Sequence, residues 1–132
     1  MALRLLADGR HKPEVVLSHT EAFPQDGLIN KFNERHKDGF RVTVRVMPDD
    51  YGAYFEKLRT EFQVGGGGID VIVGDTIWTA ELAANDWISD LSGRFSAEER
   101  SAFVEGTIQP LTDGGRIYGV SRFLDAGMLY YR

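Results

Sequence analysis

The chain has 132 residues, of which 42% are hydrophobic and 11% aromatic, enough for one soluble domain with a substantial core. Its formal net charge is -5, and its lysines and arginines are scattered, which argues against nucleic acid or an anionic membrane as partner and favours a neutral ligand. It has no cysteine, and its three histidines lack metal-ligand spacing, so neither a metal site nor another cofactor is expected.

The chain opens with residues 1–13, which we expect to form a flexible leader. They contain no apolar stretch long enough for a secretory signal, and no later segment is long enough to span a bilayer. Residues 14–17 read as a short first strand, and residues 18–21 as a polar turn after it. That turn ends on Glu21, a candidate carboxylate, and its His19 reads as a loop histidine.

A first amphipathic helix follows, and then an alternating strand. Phe23 and Pro24 introduce the helix, whose inward face is predicted to carry Leu28, Ile29 and Phe32. In residues 41–46 three valines alternate with polar side chains, as expected of an edge strand with one face in water.

A second helix is predicted after Pro48, Asp49 and Asp50. Its aromatic and aliphatic residues recur at helical spacing and should belong mainly to the core: Tyr51, Tyr54, Phe55, Leu58 and Phe62. The four glycines at residues 65–68 then precede a strand. They therefore read as a flexible connection, whereas a phosphate-binding loop would follow the strand and carry further motif residues.

Residues 69–91 form the stretch on which the fold and the site are predicted to depend. Residues 69–73 are a short, mostly β-branched run typical of a central strand covered on both faces. Gly74 breaks the run, Asp75 or Thr76 can cap the helix that follows, and Trp78 lies one turn further on. Open α/β sheets bind ligands at the carboxyl ends of their strands, so a carboxylate beside an aromatic ring suggests a site for a hydroxyl-rich ligand.

The remaining residues carry weaker signals. Ser96 and Glu99 match a capping box for a short helix. A tight turn is predicted at residues 113–115, leading into a strand through Ile117 and Val120, and residues 127–131 are compatible with a last strand. Because strands alternate with helices along the chain, we predict an α/β fold in three layers, with a mostly parallel, doubly wound sheet.

Four segments in this order resemble the extracellular solute-binding proteins of carbohydrate ABC importers, of the maltose- and trehalose-binding type. They are NKFNERH, VTVRVMPDDYGAYFEKL, IDVIVGDTIWTAELAANDWISDLS and DGGRIYGVSRFLDAGMLYYR, of which the last two are the most specific. Members of that family have two lobes that close around a ligand and present it to a membrane permease. The resemblance implies that residues 14–132 are part of the amino-terminal lobe of an extracytoplasmic protein, an incomplete lobe of the type II periplasmic-binding-protein fold.

The resemblance also implies a set of ligand-binding residues near strand ends: Glu21, Asp75, Trp78, Phe123 and Asp125. Three residues depart from the family pattern. His19 stands where an aromatic residue is common, and Ser121 and Arg122 replace a proline and an aromatic residue. The resemblance further implies that the second lobe is missing and that the sheet lacks a later strand, so a homodimer or a domain-swapped assembly is expected.

Other readings of the same residues stay open. Asp75 is compatible with a purely structural helix cap, Trp78 and Phe123 with core positions, and Glu21 with a solvated loop. Glu21 and Asp75 together are compatible with the carboxylate pair of a glycoside-acting enzyme, although we expect no enzymatic activity. A flavodoxin-like binding module would share the predicted sheet.

Overall fold

A computed structural model describes residues 14–20, 26–65, 68–124 and 129. Its strands are β1 (Glu14–Thr20), β2 (Arg41–Met47), β3 (Val71–Ile72), β4 (Thr112–Asp113) and β5 (Arg116–Ile117). Its α-helices are α1 (Asp26–Arg35), α2 (Tyr51–Gln63), α3 (Thr79–Ala84) and α4 (Ala97–Arg100), joined by 3-10 turns at Thr76–Trp78, Glu105–Thr107 and Gln109–Leu111. The predicted leader, and all of the predicted last strand except Leu129, lie outside the described residues.

The main sheet confirms the predicted α/β class. Its three described strands are parallel and stand in the order β2-β1-β3, with Leu17 opposite both Val44 and Val71. From β1 the chain moves to one side through α1, and from β2 it crosses back over β1 through α2. Because such crossovers are right-handed, these opposite moves place α1 and α2 on opposite faces of the sheet, the arrangement of a doubly wound fold.

The centre of the sheet differs from the prediction. The sequence predicts residues 69–73 as the central strand, but β1 lies between the other two described strands, and β3 pairs with it over two residues. The predicted polar turn at residues 18–20 is also wrong, since these residues continue β1 and are buried. Ser18 tolerates this because its hydroxyl lies 2.6 Å from the Tyr54 hydroxyl, so the buried polar atom has a partner.

Strand β2 lies at an edge of the described sheet, as predicted. The face of β2 that carries its valines is the more solvent-exposed of its two faces. Val44 and Val46 are exposed, while Arg45 on the opposite face is half-buried and forms a 2.7 Å ion pair with Glu61 of α2. Leu28, predicted to face inward from α1, is also exposed. The alternation of residues therefore identified the two faces of β2, but it did not predict which of them packs against α2.

Helix α2 supplies much of the core, as its spacing predicted. It begins at the cap residue Asp50, whose carboxylate accepts a 2.8 Å hydrogen bond from the Ala53 amide. Tyr54 and Leu58 are fully buried, whereas Tyr51 at the start of the helix is exposed. The buried core cluster joins this helix to β2 and to the residues after β3: Met47, Tyr54, Leu58, Trp78 and Leu82.

The carboxyl-terminal part contains short, locally specified elements. Ser96 and Glu99 form the predicted capping box at the start of α4, which ends at Arg100. The predicted tight turn joins β4 to β5, and Gly114 and Gly115 have φ values of 53° and 77°, as a two-residue type I′ hairpin requires. The strand after the turn ends at Ile117 and does not reach Val120.

Candidate functional site

A cavity of about 720 Å³ lies at the carboxyl ends of β1 and β3. Its walls come from the last residues of β1, the residues after β3, the 3-10 segment near Thr107, and residues 118–124. In a sheet of order 2-1-3, the strands on either side of the β1/β3 junction lead away in opposite directions, which opens a crevice there. The topology therefore accounts for the position of the cavity.

Asp75 lies on the cavity wall directly after β3. Its side chain is exposed, and its Oδ1 accepts a 3.2 Å hydrogen bond from the Ile77 amide, which caps the turn at Thr76–Trp78. The predicted capping role is thus confirmed. A carboxylate has more acceptor positions than this cap uses, so Asp75 can also accept hydrogen bonds from a ligand in the cavity.

Trp78 lines the cavity from a nearly buried position, with 6% of its surface exposed. Phe55 stacks on its ring with centroids 5.0 Å apart, and Tyr54 meets it edge-on at 5.4 Å. Gly74 approaches so closely that a β-carbon there would lie 2.7 Å from the indole Cε3. The indole therefore contributes to the core, and direct stacking of a ligand on it stays a prediction.

The cavity wall also contains a contact between residues that are far apart in sequence. Arg122 Nη1 lies 3.1 Å from His19 Nε2, and His19 Nδ1 bonds to the Thr20 carbonyl. His19 is 3% exposed at the end of β1, so the prediction that it belongs to a loop is wrong. Arg122 is exposed on the cavity wall, next to Phe123.

The structure places three of the five predicted ligand-binding residues around one cavity. Asp75, Trp78 and Phe123 all line it, and Phe123 is 56% exposed. Glu21 and Asp125 lie outside the described residues, so the carboxylate pair considered for an enzyme is not described either. Contact between a ligand and any of the five stays a prediction.

Sequence reasoning gave too little weight to other residues of the cavity wall. The sequence marks Arg122 only as a departure from a family pattern and His19 as a departure and a loop residue, and Tyr51 and Tyr118 also line the cavity. The available signal was the single basic residue, Arg122, in the segment GVSRFLDAG. Sequence spacing could not pair it with His19, because the pairing depends on the fold.

Among the described residues, no group of three or more histidine, cysteine, aspartate or glutamate side chains is arranged to hold a metal ion. None of the helices in the described ranges is both long and apolar enough to cross a membrane.

Comparisons with known proteins agree with this architecture. Residues 18–132 match the family model described as bacterial extracellular solute-binding protein. The chain is 28% identical, over 96 residues, to a probable ABC transporter-binding protein of Deinococcus radiodurans, a match that covers 73% of this chain and 22% of that protein.

A solved structure shows the same fold. The chain is similar to maltose-bound T. maritima MalE3, with a TM-score of 0.71 and 25% sequence identity, over 79% of this chain and 27% of that one. The chain thus spans about a quarter of the length of both relatives. Its fold is that of part of one lobe of a periplasmic-binding protein.

Proposed function

Because this chain belongs to the bacterial extracellular solute-binding protein family, we propose that it is part of the ligand-binding lobe of an ABC importer's substrate-binding component. The observation that carries the proposal is the cavity at the carboxyl ends of β1 and β3, where this sheet topology creates a ligand crevice. Family membership supplies the class of function, and the cavity supplies a place for the ligand.

The ligand we propose is a carbohydrate. Two observations support it: the similar T. maritima structure is described as maltose-bound, and the cavity wall combines a carboxylate with exposed aromatic surface. Asp75 would accept hydrogen bonds from sugar hydroxyls while Phe123 packs against a ring face. The sequence also predicts roles for Glu21 and Asp125, and it predicts a neutral sugar; these remain predictions.

The proposed mechanism requires a second lobe. Residues 14–132 would form part of the amino-terminal lobe, closure of a second lobe would bury the ligand, and the closed form would deliver it to a membrane permease outside the cytoplasm. Closure matters because a ligand held on one wall keeps much of its surface hydrated, which weakens binding.

Solute-binding proteins are not enzymes, and the family match therefore confirms the prediction of no enzymatic activity. A flavodoxin-like module shares the strand order 2-1-3, but the family match does not favour that alternative.

The proposed function is tested by an NMR titration of the isotope-labelled chain with a panel of mono- and disaccharides. We expect amide shifts clustered at Asp75, Trp78 and Phe123, with at best millimolar affinity, about 4 kcal/mol of binding free energy. Asp75→Asn should weaken binding, with Asp113→Asn on the β4–β5 hairpin as the control, since that exposed residue does not line the cavity. A well-dispersed spectrum without shifts at high sugar concentration would contradict the proposal for this chain.

A further inference from the structure

Tyr51 is an exposed aromatic residue on the cavity wall that the predicted set of ligand-binding residues does not include. It is the first residue of α2, it lines the cavity, and 44% of its surface is exposed. Aromatic surface that is exposed inside a concave site gains free energy when a ligand displaces water from it. Trp78 and Tyr118 line the same cavity but are nearly buried, so they offer a ligand much less surface.

The indole of Trp78 is covered mainly by protein. Phe55 stacks on it at an interplanar angle of 22°, and Tyr54 meets it edge-on at 76°. The backbone of Gly74 approaches Cε3 and Cζ3 too closely to leave room for a β-carbon. A sugar ring packs well only against aromatic surface that is open over an area comparable to its own. Trp78 is therefore better placed to support another ring than to bind the sugar itself.

Tyr51 is held by its own helix and by Trp78. Asp50 fixes the first turn of α2, because its carboxylate accepts from the Ala53 amide at 2.8 Å and its carbonyl accepts from the Tyr54 amide at 2.9 Å. The Tyr51 ring lies 5.8 Å from the indole, measured between centroids, at an interplanar angle of 52°. A tyrosine has few side-chain torsions, so a ring supported in this way loses little conformational freedom when a ligand binds.

Trp78 also connects Tyr51 to the carboxylate of Asp75. The Trp78 amide donates a 3.2 Å hydrogen bond to the Asp75 carbonyl within the 3-10 turn that follows β3. Tyr51 and Asp75 therefore both adjoin this tryptophan, and both line the cavity. A pyranose suits the pair, because its hydroxyls donate to a carboxylate and its C–H groups form an apolar face for a ring.

Resting on the proposed function, we propose that Tyr51 is a further ligand-binding residue, whose ring packs against the C–H face of a pyranose while Trp78 acts as its positioning residue. Three aromatic side chains of α2 contact the one indole, and Tyr51 is the exposed one of the three. Contact with its ring would bury apolar surface of the sugar, and hydrogen bonds to Asp75 would orient the sugar.

The test compares sugar affinities of matched variants by NMR. Maltose, and any other saccharide of the panel that shifts the Asp75 amide, is titrated into the unaltered chain, Tyr51→Leu, Tyr51→Phe and Phe62→Leu. Phe62 lies on the same helix, packs against Trp87 and does not line the cavity, so its replacement makes the same chemical change away from the wall. A dispersed amide spectrum verifies that each variant is folded.

We expect Tyr51→Leu to weaken sugar binding about three- to tenfold, because leucine removes the flat ring. Tyr51→Phe should keep most of the affinity, and Phe62→Leu should leave it unchanged. Tyr51→Leu that binds as tightly as the unaltered chain overturns the inference, while shifts at Asp75 still support sugar binding. If no saccharide of the panel shifts any signal, the inference and the proposed function both fail.

The separate roles of Tyr51 and Trp78 have a direct readout in nuclear Overhauser effects. Sugar C–H protons should show these effects with the Tyr51 ring and not with the Trp78 indole. Trp78→Phe should move the ring signals of Tyr51, whereas Trp87→Phe, which alters a tryptophan outside the cavity wall, should not. Effects between the sugar and the indole but not Tyr51 overturn the inference, and Tyr51 signals unchanged by Trp78→Phe overturn the positioning role.

Discussion

Ser18 and Tyr54 show how a single polar pair can be accommodated in the middle of the core. Both residues are fully buried, and their hydroxyl oxygens lie 2.6 Å apart. The Ser18 hydroxyl also has a longer contact, 3.5 Å, with the Val71 carbonyl. A buried hydroxyl that loses its partner costs more than the bond itself contributed, so this pair should be strongly coupled.

We predict that Tyr54→Phe and Ser18→Ala each lower the free energy of unfolding by about 1–3 kcal/mol, and that the double variant loses less than the sum. Tyr51→Phe on the same helix is the control and should change stability little, because Tyr51 is exposed. Urea unfolding followed by circular dichroism measures all four variants. Additive losses in the double variant would contradict the coupling.

Burial, the largest effect, raises the pKa of Tyr54, and hydrogen bonds from Ser18 and the Val73 backbone only partly oppose it. The Tyr54 phenol therefore ionises at a lower pH in the unfolded chain than in the folded chain. The stability that this difference contributes is complete below the ordinary tyrosine pKa of 10.0 and is lost as pH rises beyond it.

Gly74 controls the packing of Trp78 at the edge of the cavity. A β-carbon at this position would lie 2.7 Å from indole Cε3 and 2.9 Å from Cζ3, so either the ring or the backbone must shift. We predict that Gly74→Ala lowers stability by about 1–3 kcal/mol and changes the Trp78 fluorescence and its indole NMR signal.

Gly93→Ala is the matched control for this substitution, since a β-carbon there meets nothing within 4 Å. It should be neutral or slightly stabilising, because alanine reduces the freedom of the unfolded chain. Equal stability of the two variants would show that Trp78 can move away from Gly74 at no cost.

At the scale of elements, Asn33 joins helix α1 to the edge strand β2. Its amide nitrogen donates to the Val42 carbonyl and its oxygen accepts from the Val42 amide, both at 2.8 Å. This side chain therefore occupies the two backbone groups that a further strand would use at that position.

We predict that Asn33→Ala lowers stability by about 1–3 kcal/mol, because two partly buried backbone groups lose their partner. Asn30→Ala is the control: Asn30 is exposed on the same helix, and its replacement gains the same helix propensity. The difference in stability between the two variants therefore isolates the two hydrogen bonds. Thermal unfolding measures the difference, and faster amide exchange at Val42 should accompany it. Indistinguishable stabilities would mean that water replaces the amide without loss.

Helix α4 depends on its capping box. The Ser96 backbone amide donates to Glu99 Oε2 at 2.8 Å, and the Ser96 hydroxyl bonds with the same carboxylate at 2.9 Å and accepts from the Glu99 amide at 3.2 Å. Both hydrogen bonds from Ser96 lower the pKa of Glu99, and the bond from the Ser96 backbone amide has the larger effect. The corresponding stability is present above the ordinary glutamate pKa and is lost as pH falls through the lowered value.

We predict that Ser96→Ala lowers stability by about 1 kcal/mol and raises the pKa of Glu99 part of the way to its ordinary value. Only the hydroxyl bond is removed, so the backbone bond keeps the remaining shift. A carbon-detected NMR titration of the Glu99 carboxyl group measures it, with Ser101→Ala at the other end of the helix as control. An unchanged Glu99 pKa in Ser96→Ala would contradict the assignment.

At the scale of the whole molecule, the sheet has two different edges. β2 is partly blocked by Asn33, whereas β3 pairs with β1 over two residues and carries no described strand on its other side. An open parallel edge is a template for another chain. The homodimer or domain-swapped assembly expected from the sequence therefore stays a prediction, with the β3 edge as its place.

We predict that sedimentation equilibrium gives twice the monomer mass at high protein concentration. The double variant Val44→Thr, Val46→Thr tests the other candidate surface, because it makes the exposed valine face polar without changing side-chain shape much. Association through the β3 edge should survive this change. A monomer at every concentration would contradict the prediction.

The sequence by itself determined the features that depend on neighbouring residues. Capping at Asp50 and Ser96, the hairpin at Gly114 and Gly115, and the inward face of α2 follow from short-range hydrogen bonds, allowed dihedral angles and helical spacing. The alternation of strands and helices also predicted the fold class, and with it a site at the carboxyl ends of the strands.

Only the tertiary structure decided what depends on distant residues. It made β1 central, buried Ser18 and His19 in a segment that reads as a polar turn, and left Val44 and Val46 exposed. It also brought Arg122 to His19 across 103 positions of sequence. The physical reason is that strand order and pairing follow from crossovers and long-range packing, which no local pattern of residues encodes.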